Sequence, residues 1–86
     1  MSRHQIPARD PNHEVIVGWD RPLQTFFVQV YDKRKKGTDD ELIMWCGASR
    51  PRELYEVEDV RRVVGQYAEL TADMASTLYG DKDEGR

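Results

Sequence analysis

The sequence predicts an α+β fold, a three-stranded antiparallel β-meander packed by one or two C-terminal helices (βββαα). Three observations predict it. Residues 14–31 alternate around a turn at Asp20, Arg21 and Pro22, and residues 42–48 alternate again after a polar loop. From Val57 onward the apolar residues recur at intervals of three and four instead of two.

The 86 residues make one small domain, near the size where a single core only just suffices. With 38% apolar and 34% charged residues, the core must be economical and the surface well solvated. The net charge of −3 argues against a general electrostatic affinity for nucleic acid or anionic lipid, so only local basic patches need weighing. The lone Cys46 has no internal disulfide partner, and no Cys/His spacing matches a zinc site. A reducing compartment fits that usage. Residues 1–9 do not read as a secretion signal, and no apolar stretch approaches bilayer-spanning length, so a cytoplasmic location without membrane partners is expected.

Residues 1–12 carry Pro7, Pro11 and three charges, with Ile6 as the one branched aliphatic, and read as a flexible arm. His4 and His13 stand nine apart without metal-site spacing, and read as an arm histidine and a strand-entry histidine. In the first strand Val15, Val17 and Trp19 share one face, and Ile16 and Gly18 the other. Pro22 fixes its own φ and biases Arg21 toward extended geometry, so the chain turns back antiparallel. The second strand, residues 23–31, sends Phe26, Val28 and Val30 one way and Leu23, Thr25, Phe27 and Tyr31 the other. Apolar on both faces, it should be central and covered on both sides.

Residues 32–41 form a polar hairpin with Gly37 available for positive φ. Its four bases, Lys33, Arg34, Lys35 and Lys36, precede the acids Asp39, Asp40 and Glu41, which suits charge pairing near an exposed turn. In the third strand Leu42, Met44 and Cys46 alternate with Ile43, Trp45 and Gly47. Pro51 and its charged neighbours end it. A helix then buries a stripe of Val57, Val60, Val63, Val64 and Tyr67, with Glu56, Glu58 and Asp59 at the positive end of its dipole. The stripe continues through Leu70, Met74, Leu78 and Tyr79, as one helix over 57–79 or as two. One helix would be about 35 Å long, more than such a sheet covers, and Thr71 is an acceptable N-cap, so two are favoured. Gly80 reads as a C-cap. The organisation is thus an arm (1–12), one domain (13–80) and a charged tail (81–86).

The run Gly18, Trp19, Asp20, Arg21, Pro22, Leu23, followed by Trp45-Cys46-Gly47 and the step into a helix at residues 53–57, resembles a group of small bacterial proteins with a Gly-Trp-Asp-Arg-Pro-Leu strand-turn-strand motif and no assigned activity. The resemblance covers roughly residues 13–80 and implies a fold, with no catalytic or binding role to carry over.

No constellation points to catalysis. Cys46 lacks a recognisable base and suits a half-buried apolar role. Asp20 and Arg21 make a turn, and the helix-start acids answer a dipole. No enzyme, cofactor or metal is therefore expected. The surplus apolar face, with Phe27, Tyr31 and Ile16 opposite Phe26 and Val28, needs cover from a second helix, a symmetric partner or a ligand. Ile43 and Trp45 join either face according to register. The function expected is a non-enzymatic protein-binding or adaptor module using the sheet face or an edge strand, with self-association as one form. The alternative is a small RNA- or DNA-binding regulator, with bases stacking on the aromatics and the basic loop meeting phosphates. The candidate interaction surface is Phe27, Tyr31, Trp45, Lys33, Arg34, Lys35 and Lys36.

Overall fold

A computed structural model describes residues 2–47 and 49–85. Four strands, β1 (His4–Ile6), β2 (His13–Asp20), β3 (Thr25–Asp32) and β4 (Leu42–Cys46), form an antiparallel sheet in the order β1-β2-β3-β4. The α+β class with an antiparallel sheet and two helices is as the sequence predicts. The strand count is a correction: four, not three. Part of the expected flexible arm is β1, with His4 opposite Val17 and Ile6 opposite Val15. The Ser2 hydroxyl accepts from the Trp19 backbone N–H at 3.0 Å. Ile6 is buried beside Val15 and Val17.

β2 and β3 pair in full register, from His13 opposite Asp32 to Asp20 opposite Thr25. Val15, Val17 and Trp19 therefore share a face with Phe26, Val28 and Val30, and all six are at most 4% exposed. Trp19 meets its cross-strand neighbour Phe26 edge-on, with centroids 4.9 Å apart. Both helices cover this face. α1 (Val57–Val64) lies on β3 and contributes Val57, Val60 and Val64. α2 (Ala72–Glu84) lies on β2 and contributes Ala75 and Leu78.

The helices are separate, as helix length and the Thr71 cap favoured. The Asp59 carboxylate accepts from the Glu56 N–H at 3.2 Å at the start of α1. The Thr71 hydroxyl accepts from the Met74 N–H at the start of α2. Between them Ala8 bridges Ala68, and the Arg9 N–H donates to the Tyr67 carbonyl. The tail is corrected too. Gly80 lies inside α2, which runs on to Glu84 and stops at Gly85, left-handed with φ 69°. Residues 81–84 are therefore helical, and Arg86 lies outside the described residues.

Asp81, in that last turn, is buried and meets the His4 Nε2 of β1 at 2.6 Å. Residues 52–54 are stitched to the start of β3. Leu54 N–H donates to the buried Thr25 hydroxyl at 2.7 Å, and Phe26 N–H donates to the Leu54 carbonyl.

Candidate functional site

The sheet face away from the helices has no second layer among the described residues. Its middle is nonetheless closed: Ile16, Phe27 and Gln29 are 9%, 4% and 6% exposed. The means is local. Gly18 stands opposite Phe27, and a Cβ there would lie 2.7 Å from the Phe27 Cζ, so the ring occupies the space that the bare glycine leaves. The Arg3 guanidinium donates to Gln29 Oε1 at 2.9 Å, and the Tyr31 hydroxyl donates to the same oxygen at 3.1 Å. No helix, ligand or second copy is needed to bury Phe27, which corrects the inference that something must be laid over it. Phe27 is thereby withdrawn from the surface, while Tyr31 keeps partial exposure.

Unspent apolar surface lies at the sheet edge instead. β4 pairs with β3 through Val28–Cys46, Gln29–Trp45 and Val30–Met44, and then shifts so that Tyr31 stands opposite Leu42. Ile43 is therefore the extra residue of a β-bulge. The slip brings Leu42 onto the open face with Trp45, where strict alternation had set them on opposite faces. Leu42, Ile43 and Trp45 are 39%, 40% and 53% exposed, three of the five large hydrophobics so exposed among the described residues. β4 ends the sheet, so its outer backbone edge has no strand partner there. Natural edges are blunted by shortness, bulges and charge. β4 has the first two and lacks the third.

The strand stops at Gly47, where φ is 88° and a Cβ would collide with the Phe26 carbonyl. Beside it, Cys46 is half-buried with its thiol 3.4 Å from the Met44 sulfur. Burial, and then the Glu53 charge, push the Cys46 thiol above its ordinary range, so it is protonated at neutral pH and a poor nucleophile.

The basic loop is exposed throughout, and Lys33–Lys35 form a short 3-10 turn. Arg34 is committed. Its Nε and Nη2 each reach the buried Asp32 carboxylate at 3.2 Å, which also caps the turn by accepting from the Arg34 N–H. That bidentate partner and the backbone bond hold the Asp32 carboxyl below its usual range. Lys33, Lys35 and Lys36 make no ion pair among the described residues. The structure thus sets Tyr31 and Trp45 on the open face, places the basic loop at the end of the sheet, where the Lys33 N–H donates to the Asn12 carbonyl, and removes Phe27 from the exposed set. Sequence reasoning left Leu42 and Ile43 out of the candidate surface, because a one-residue bulge leaves no mark in an apolar run.

Depressions also lie away from this edge. One, of about 360 Å³, is lined by Arg9, Arg61, Gly65, Ala68, Glu69 and Leu70. Its cations are already engaged, Arg9 with the Gly65 carbonyl and Arg61 with Glu58. Among the described residues no three His, Cys, Asp or Glu side chains converge as a metal ion would require. Nor is any helix there long and apolar enough to cross a membrane. Compared with protein-family models, curated proteins and solved structures, the chain matches none.

Proposed function

We propose that this chain is a protein-binding or adaptor module whose contact surface is the β4 edge with the adjoining rim of the open sheet face. One observation carries the reading. Leu42, Ile43 and Trp45 crowd onto a single five-residue strand whose outer edge is unpaired. Clustered apolar exposure on an edge strand is what β-strand addition uses, with backbone bonds supplying adhesion and side chains supplying choice. The resemblance of residues 13–80 to small bacterial proteins belongs to this proposal, as does a cytoplasmic setting, which the lone Cys46 supports.

The test replaces Trp45, and separately the helical Tyr79 (49% exposed), with a photo-reactive benzoylphenylalanine. Irradiation in a lysate of the source cells is expected to give a protein adduct from position 45 and none from position 79. Absence of a position-specific adduct refutes the reading. An adduct removed by nuclease transfers support to the RNA- or DNA-binding alternative, for which the exposed Lys33, Lys35 and Lys36 beside Tyr31 are the favouring feature.

A further inference from the structure

We infer that Tyr31 and Trp45 hold a prolyl ring between them, so that the open face takes a proline-rich segment of a partner protein in the polyproline II conformation. The slot deepens the protein-binding reading, on which it rests, by naming the class of partner. It lies on the sheet face, away from the outer backbone edge of β4. Trp45 stands opposite Gln29, and Tyr31, the next residue of β3 on that face, stands opposite Leu42. These four side chains mark the corners of a quadrilateral, with the two aromatic rings on one diagonal. Diagonal neighbours across paired strands are about 7–8 Å apart. A saturated ring seated between them meets each aromatic at roughly 3.5–4.0 Å, the optimum for carbon contacts. Trp45 and Leu42 are exposed and Tyr31 is half-buried, so the slot opens to solvent.

Hydrogen bonding selects the occupant. Gln29 Oε1 accepts from both the Arg3 guanidinium and the Tyr31 hydroxyl, which fills its two lone-pair positions and fixes which way the amide faces. The amide nitrogen makes no hydrogen bond among the described residues, and it is not sealed from solvent. The Trp45 indole N–H is a further donor. Donors thus stand beside an aromatic slot whose walls are held in place before a ligand arrives. A polyproline II segment projects carbonyl acceptors at regular intervals, and its prolines carry no N–H that needs an acceptor. Docking of such segments on aromatic-lined grooves is an established mode of peptide recognition. A nucleobase fits less well, because its pairing edge carries donors and the Gln29 oxygen is already full.

Decaproline titrated to about 5 mM into the full isotope-labelled chain, followed by amide and indole resonances, is the test. Saturable shifts are expected at the Trp45 indole and the Gln29 side-chain amide, with a dissociation constant of about 0.1–1 mM. The Trp19 indole, buried on the helix-covered face, should stay still, and a glycine–serine decamer should move neither reporter. Trp45→Ala and Tyr31→Ala should each weaken binding about tenfold, whereas Tyr79→Ala, which removes an exposed ring on α2, should leave it unchanged. Neither Tyr31 nor Trp45 belongs to the core, so circular dichroism should show an unchanged fold. No saturable shift, or variants at 31 and 45 that bind as the parent does, overturns the inference. Adenosine monophosphate moving the same resonances at lower concentration also overturns it, in favour of nucleic acid. If decaproline is inert while position 45 still cross-links to a protein, the proline slot fails and the binding-module reading stands. If neither signal is seen, both fail.

Discussion

Gly18→Ala tests how the open face closes itself. The added methyl would lie 2.7 Å from Phe27 Cζ and collide with the Ser2 carbonyl, so the ring, the Ser2 segment or both must move. Inserting a methyl into a filled site costs about 1–3 kcal/mol, and expelling a buried phenylalanine gives up about 1.5–3 kcal/mol of burial. The larger figure applies if the ring leaves, because Phe27 is only 4% exposed at the start. A loss of about 2–3 kcal/mol is therefore expected from a domain whose total stability is about 4–13 kcal/mol. In thermal unfolding that is a drop of roughly 8–24 °C for a chain of this size. Urea midpoints should agree. Phe27→Leu in the Gly18→Ala background should cost less than Phe27→Leu in the native background, because the smaller side chain relieves the collision. Gly18→Ala within about 0.5 kcal/mol of the parent would refute the account, since a surface site tolerates a methyl at that level.

Other consequences follow from named contacts. The Asp32 carboxyl titrates below the ordinary 3.8, so its contribution to stability is present above that value and is lost as the pH falls through 3.8 toward the folded-state value. Asp32→Asn should flatten the acid limb of a urea-midpoint profile recorded from about pH 6 to about pH 2.5 and leave its neutral limb with the same slope. Cys46 should react with iodoacetamide at neutral pH much more slowly than the same thiol in unfolded protein, as burial and Glu53 both oppose the thiolate. Equal rates would contradict its described surroundings. His4→Ala removes the hydrogen bond seen to Asp81 and should cost about 1–3 kcal/mol, with faster amide exchange in β1 than in β3. Uniform acceleration across the sheet would instead indicate global weakening.

The meander was legible because β2 and β3 are long and their apolar positions alternate without interruption from Val15 to Trp19 and from Phe26 to Val30. The helix break was legible from length and from Thr71. β1 was not, because an edge strand of three residues carries little pattern and its inward residues are Ile6 and the polar His4, whose partner Asp81 lies 77 residues away. Gly80 looked like a stop because glycine is poor in helix interiors, yet its site is open enough that only the propensity cost applies. At the candidate surface, the value of Trp45 was readable and its face was not. Register across a bulge depends on where β3 holds β4, which residues 42–46 do not encode alone.

The His4–Asp81 contact bears on the order in which the fold assembles. The β2–β3 and β3–β4 hairpins join residues close in sequence, so their loops close at little entropic cost. β1 can zip onto β2 just as locally, but its polar inward residue finds its mate only after α2 has docked. The outermost strand and the last helical turn thus form a clasp. The contact spans 77 positions of an 86-residue chain, so it ties the two ends of the sequence to each other across the sheet.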